Sequence, residues 1–483
     1  MSQINILSQN LTLFIILTFS IFFVLIGIIY SKKHKGLNNY LIANRDVGTL
    51  SITTSLVASS LGAWILFGPA SAATWGGIGV VIGYSLGAAF PMLALIFFGV
   101  KIRNIFPKGK TLIQFIRIKY GKNLFKLILI LTIFYMFIFL SAEVTAIAIL
   151  VKYISGTPLW ITSIIVIITT LTYTLYGGLR ASIFTDNIQF FIIIFLFLIG
   201  LNYLLFFTDD FSLEIIKKNS PHLLSANYIP NFTAGLTFFI AVSATNLFHQ
   251  GNWQRVFAAK NNKVLKKSLL ISFFIIIPIV FFMGFTGMIA KSQNINTNPD
   301  LAFFSVLLKD QTRILSLMVI SLAISLTIST ADTLINAITS LVIVDGKNIL
   351  KLSKKNNFFK FSKYIIIFLS LISFIIASKG FSILYLFLLA DLLCCAAVIT
   401  VFYGFYQKNI NENDAIFAIL IGLFLGLLFF PSPDFSKSIL VGIFFSYDIF
   451  PKIVSSFLLF WSFFIATLGP AIVIMIYDSF KGR

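Results

Sequence analysis

The chain has 483 residues, of which 58% are hydrophobic, 16% aromatic and 11% charged, with a formal net charge of +20. It is far too apolar and too poor in charge for a soluble domain. The composition predicts an all-α integral membrane protein whose helices of about 20 apolar residues each cross ~30 Å of hydrocarbon.

Thirteen spans are predicted, at about 11–30, 49–74, 76–100, 127–150, 159–175, 188–207, 232–248, 268–289, 314–344, 364–378, 381–405, 415–430 and 454–477. The loops that follow odd-numbered spans share one side of the membrane. Taking the loops after Tyr30, Val100, Leu175, Phe248, Val344, Phe405 and Tyr477 as that side gathers 27 of the 36 Lys and Arg. The side is therefore expected to be cytoplasmic, with the N-terminus outside and the C-terminus inside. The basic residues sit in short runs at helix ends, such as "KIRNIFPKGK" and "KLSKKNNFFK". Orientation and anionic lipid account for them, and no nucleic-acid partner is expected.

The first span is long and lacks a small-residue cleavage site before "SKKHKG", so it reads as a retained helix. No appended soluble domain is expected, which disfavours a receptor with a signalling module. The second span, "LSITTSLVASSLGAWILFGPASAATWGG", carries Ser59, Ser60, Gly62, Gly68 and Pro69 inside its apolar run. It reads either as a closely packed helix or as a broken one, whose freed carbonyls around Ala58 to Leu61 can coordinate a cation. Glu143 in span four and Asp391 in span eleven are acids at membrane depth, where each binds a cationic part of a solute, holds an ion or pairs with a hydroxyl. Asp186 follows a turn expected at Gly177, Gly178 and Arg180. It lies where span six begins. Span seven is interrupted by Ser243, Thr245, Asn246 and His249 rather than by glycine and proline, which leaves its unwinding open.

Span nine places Ser329, Thr333, Asn336 and Ser340 at steps of three or four, with Asp332 beside them. A lone Ser or Thr in a membrane helix usually bonds the carbonyl one turn back. A stripe of this length instead suggests a pathway or a site of neutral oxygens for a releasable hard cation. Acids and histidines are too scattered for a metal cluster, and no phosphate cradle is present. Adjacent Cys394 and Cys395 read as small core residues.

The stretches "GGLRASIFTDNIQ", "ISTADTLINAITSLVIVD", "GNWQRVFAAK" and "LNNYLIANRDVG" resemble motifs of the sodium:solute symporter family, over almost the full chain. The resemblance implies the leucine-transporter-type fold, a 5+5 inverted-repeat core with one helix before and two after. It would make residues 1–483 a single membrane transporter domain: core repeats at about 49–207 and 232–405, and peripheral helices at about 11–30, 415–430 and 454–477. It also implies a sodium ion held by the carbonyls of Ala58, Leu61 and Leu326 and the side-chain oxygens of Ser329 and Thr330, with Asp186 at a second sodium or in support.

Along the broken helix the family's sugar-carrying pattern is replaced by Ser60, Gly62, Trp64 and Ile65, and the inner-gate aromatic by Thr245. The proline-carrying pattern keeps only Trp64. The candidate solute residues are then Ser60, Gly62, Trp64, Thr245, Asp391 and Glu143. The implied function is a sodium-coupled symporter, not an enzyme, that imports an amino acid, urea, polyamine or related small organic solute across a plasma membrane, such as a bacterial inner membrane. Its partners would be the solute and the lipid bilayer, with no obligatory protein partner. The alternatives are a proton-coupled symporter of the same fold, using Asp186 or Asp391, and a non-transporting membrane sensor.

Overall fold

The computed structural model describes residues 4–208, 211–294, 298–349, 355–405, 411–444 and 451–480. The described residues are almost entirely helical, with isolated β-bridges only. The principal helices are α1 (Gln9–Lys33), α2 (Thr49–Ser60), α3 (Gly68–Ile105), α4 (Lys122–Ser155), α5 (Leu159–Phe206), α6 (Ile229–Phe248), α7 (Gln250–Ala258), α8 (Asn262–Ser292), α9 (Arg313–Val344), α10 (Lys355–Lys379), α11 (Ile383–Tyr403), α12 (Glu412–Phe429) and α13 (Leu458–Phe480). Short helices connect them.

Eleven helices among the described residues are long and apolar enough to cross a membrane. Thirteen spans were expected, and the difference lies in two places. At 12 residues, α2 is too short to cross alone, and its path continues over a break into the first turns of α3. The second place is α5, whose 48 residues are roughly twice what one crossing needs.

Both α3 and α5 bend at a glycine with positive φ, Gly77 (φ 58°) and Gly178 (φ 61°), a conformation that costs a residue with a Cβ. The turn expected around Gly177, Gly178 and Arg180 is thus a single-residue kink. Helix resumes at Leu179, so Asp186 lies two turns inside it rather than at its start. Arg180 is held by the Ala43 carbonyl (2.9 Å) and by Asp46.

Helix ends follow local chemistry. Ser8 accepts from Leu11 N and caps α1, while Lys32 and Lys33 occupy its last turn, where positive charge suits the helix dipole. Asn261 caps α8 by accepting from Val264 N at 2.9 Å.

The packing places α9 at the centre, with every residue from Leu322 to Val344 buried. It lies against α4 and α5, while α3 packs chiefly on α8 and α6. The α3–α6 approach depends on small residues: a Cβ on Gly235 would stand 2.6 Å from the Gly79 carbonyl oxygen.

The ends of the bundle differ in chemistry. At one, Arg103 donates to the Val256 and Ala259 carbonyls (2.6 and 2.8 Å), and Arg45 donates to the Gly109 carbonyl (2.5 Å). At the other, a cavity of about 580 Å³ opens among Ser71, Trp75, Thr237, Asp300, Ser382 and Phe435. Between them lie the two interruptions, after α2 and between α6 and α7.

Candidate cation and solute site

The first interruption is local in origin. After Ser60 the backbone leaves the helix at Leu61 (φ −95°, ψ 79°) and Gly62 (φ −78°, ψ −176°), and a short 3₁₀ turn covers Ala63–Leu66. Ile65 N donates to the Gly62 carbonyl at 3.3 Å, so the Leu61 carbonyl loses the partner a continuous helix would give it. Ala63 N and Trp64 N turn instead to Glu143 of α4, at 2.8 and 3.4 Å, and the Trp64 indole donates to the Ser60 carbonyl at 3.0 Å. Of the two readings of this span the broken helix is the one found, and the Ala63 and Trp64 amides are satisfied by a side chain rather than by a helix.

Facing it, α9 presents Thr330, whose buried Oγ1 has no hydrogen-bond partner. A Cβ on Gly62 would stand 2.9 Å from that oxygen and would collide with Glu143 Oε1. A larger residue there would displace the Glu143 carboxyl. Leu326 sits one turn earlier on unbroken helix, where its carbonyl keeps a second lone pair. Ser329 donates to Asp186 Oδ1 at 2.7 Å.

Asp186 belongs to a buried ionic network. Its Oδ2 accepts from Arg255 Nη2 (2.7 Å) and Ser55 Oγ (2.6 Å). Arg255 also donates to Ser55 Oγ and Thr333 Oγ1, each at 2.9 Å, and to the Gly251 carbonyl at 3.2 Å. Asp332 is held by hydroxyls of Tyr173 (2.6 Å), Ser182 (2.9 Å), Thr333 (3.3 Å) and Thr185 (3.4 Å). Asp186, Arg255, Asp332 and Glu143 are each 0% exposed, so every one of these charges depends on the partners named.

The polar stripe of α9 thus divides. Ser329, Asp332 and Thr333 enter the network, and Thr330 faces the break. Ser325 and Thr339 bond the carbonyl one turn back, at 2.8 and 2.6 Å. The side-chain atoms of Asn336 and Thr327 Oγ1 are buried without partners.

The family model of the sodium:solute symporters matches residues 40–422, most of the chain and all of the elements that build this site. The chain belongs to the sodium:solute symporter family. This symporter is a multi-pass membrane transporter, not an enzyme. It is 25% identical to a spermidine transporter of Candida albicans, over 98% of this chain and 89% of that protein. It is 24% identical to the human sodium/myo-inositol cotransporter 2 over 82% of this chain, but spans only 66% of that relative's length.

Among solved structures, a sodium-coupled sialic acid symporter in its substrate-bound outward-open state superposes with a TM-score of 0.74 at 16% identity, covering 97% of this chain and 98% of that one. The transporter MhsT in complex with L-phenylalanine superposes at 0.52 with 11% identity, covering 89% and 98%. At these identities the likeness establishes the fold alone, which is the leucine-transporter type.

The symporter's candidate solute residues are distributed unevenly. Thr245 of α6 donates to Asp391 Oδ1 of α11 at 2.6 Å. Ser60 Oγ is buried without a partner. Trp64 stacks on Tyr84 (centroids 5.5 Å apart, planes 15°), Tyr84 stacks on Phe238 (4.8 Å, 17°), and Phe238 meets Trp75 at 6.1 Å. An aromatic column therefore runs from the wall of the 580 Å³ cavity to the break. None of Ser60, Trp64, Thr245 or Asp391 lines that cavity itself. Gly62 and Glu143 sit at the break, bracing it.

Sequence reasoning did not single out Arg255, Tyr84, Tyr173 or Ser182. The signal for Arg255 was present: a lone arginine within "GNWQRVFAAK", directly after a polar interruption in an apolar span.

Proposed function

We infer that this symporter couples inward movement of sodium to import of a small cationic amine, with a polyamine as the leading solute class. The observation that carries the reading is Asp391. Among the described residues this buried carboxylate accepts from one hydroxyl, that of Thr245 near the end of α6, and an ammonium group would complete its coordination. The Trp64–Tyr84–Phe238 column supports it, since stacked aromatic faces attract cations. So does the similarity to a protein named as a spermidine transporter.

We assign the sodium ion to the carbonyls of Ala58 at the end of α2 and Leu61 of the break, together with Leu326, Ser329 and Thr330 of α9. Thr330 Oγ1 is buried with no hydrogen-bond partner. Asp186 is committed to Arg255 and acts as a support of Ser329 rather than as an independent ion ligand. In this reading sodium fixes α2 against α9, the solute binds beside it, and the bundle rocks between open ends. One sodium entering down ~100 mV supplies ~2.3 kcal/mol, and a tenfold sodium gradient ~1.4 kcal/mol more. The excess of Lys and Arg in the loops of one side supports a cytoplasmic position for that side, in a plasma membrane.

The test is uptake into proteoliposomes under an imposed sodium gradient, with spermidine, urea, neutral amino acids, carboxylates and sugars compared. Sodium-driven accumulation of the amine is expected. Thr330→Ala is expected to raise half-saturating sodium at least tenfold, and Asp391→Asn to abolish amine uptake. Uptake driven by a pH gradient without sodium would favour the proton-coupled alternative. A neutral solute carried equally well by Asp391→Asn would remove the amine assignment.

A further inference from the structure

We propose that Glu143 is the counter-charge of the cation site at the helix break, so that the ion is bound beside a full carboxylate and not among neutral oxygens alone. The inference rests on the reading that the break binds sodium, and it assigns Glu143 to the ion instead of the solute.

Three observations meet at one point. First, Glu143 is fully buried on α4, and among the described residues neither ion pair involves it. Its donors are two backbone amides of the unwound segment, Ala63 N on Oε2 at 2.8 Å and Trp64 N on Oε1 at a long 3.4 Å. Oε1 therefore retains most of its acceptor capacity. Second, the position that a Cβ on Gly62 would take is contested by Glu143 Oε1 and lies 2.9 Å from Thr330 Oγ1. The carboxylate oxygen and the unpartnered hydroxyl thus both lie next to one spot at the first residues of the break. Third, the Leu61 carbonyl beside that spot has lost its helical amide.

Charge balance gives the arrangement its direction. An uncompensated buried carboxylate is strongly unfavourable, and breaking a buried pair is far costlier than having neither charge. Asp186 is offset by Arg255, and Asp332 by four hydroxyl donors. Two amides, one of them distant, leave Glu143 without a paired positive charge among the described residues. A sodium ion there restores neutrality. The same carboxylate grips Ala63 and Trp64, so occupancy of the ion site and the shape of the break are held by one side chain. Glu143 acts as a positioning residue for the backbone and as an electrostatic partner for the ion.

The experiment is sodium titration of the purified full-length protein by thermal shift, at constant ionic strength with choline and without solute, which reads ion binding by mass action. Glu143→Gln keeps the shape and an acceptor for the amides but removes the charge. The expected result is a rise of at least tenfold in half-stabilising sodium, with Glu143→Asp within about threefold of wild type. Moving the charge across the site, with Glu143→Gln and Thr330→Asp together, is expected to restore sodium sensitivity. It also answers the question if the single variant fails to fold.

If Glu143→Gln lowers the sodium-free melting temperature yet keeps the wild-type sodium dependence, Glu143 is only a brace and the proposal is overturned. So too if the double variant folds without responding to sodium. A wild-type protein that sodium does not stabilise at all overturns the cation reading of the break as well, which separates the two failures.

Discussion

The Asp186–Arg255 pair is the strongest electrostatic commitment among the described residues, at 2.7 Å with both side chains 0% exposed. Removing one partner of such a pair leaves a naked buried charge and costs about 3–5 kcal/mol, whereas removing both costs much less. Asp186→Asn and Arg255→Gln are each expected to lower chemical or thermal stability in detergent by that order, and the double variant is expected to recover a large part. Strictly additive losses in the double-mutant cycle would show that the two groups do not act as a pair. Ser329 makes the network matter for transport. Its hydroxyl is tied to Asp186, so a disturbance of the pair reaches the proposed ion site through a single hydrogen bond.

At the scale of elements, glycine decides where helices bend. Gly178 holds φ 61° and ψ −157°, a region that is essentially closed to other residues, and an added Cβ there would press into the Tyr40 ring and carbonyl. Gly178→Ala is expected to destabilise by at least about 1–3 kcal/mol from backbone strain alone. On the same helix, a Cβ on Gly200 meets nothing within 4 Å. Gly200→Ala is therefore expected to be neutral or stabilising, by about 0.5–1 kcal/mol. The paired melting curves check both, and equal effects at the two positions would contradict the assigned kink. The interruption between α6 and α7 has another origin. His249 leaves the helix at φ −60° and ψ 106°, and Trp253 Nε1 returns to the Leu247 carbonyl at 2.7 Å. An uncovered carbonyl is satisfied by an indole where no glycine is present.

For the whole molecule, the 580 Å³ cavity is bounded by a clasp between distant parts of the chain. Asp300, in the short turn after α8, accepts from Ser71 Oγ of α3 at 3.2 Å and from Ile383 N of α11 at 3.1 Å. Burial pushes the Asp300 carboxyl above its ordinary range, against the opposing effect of these donors. Between the ordinary carboxylate pKa of about 4 and that raised value, the folded protein holds a proton that the unfolded chain has released. The Asp300 contribution to stability therefore falls as pH rises through this window. The melting temperature of Asp300→Asn relative to wild type is expected to rise with pH across the same window and level off above it. A difference that does not vary with pH would refute the assignment.

How much of this was readable beforehand follows from the kind of physics involved. Bilayer solvation acts on local composition, so the apolar runs and the membrane class were legible in the sequence by itself, while Ser59, Ser60, Gly62, Gly68 and Pro69 left the second span open between a close-packed and a broken helix. The motif resemblance carried the family and, with it, the fold. Side-chain pairing is different. Asp186 and Arg255 are 69 residues apart, and Glu143 reaches Ala63 across 80. No periodicity encodes which of several buried carboxylates receives the guanidinium, which receives hydroxyls and which is left to brace a broken helix. Those assignments arise only when α2, α4, α5, α7 and α9 pack together. The cost of burying a charge is then settled by whichever donors the packing brings within about 3 Å.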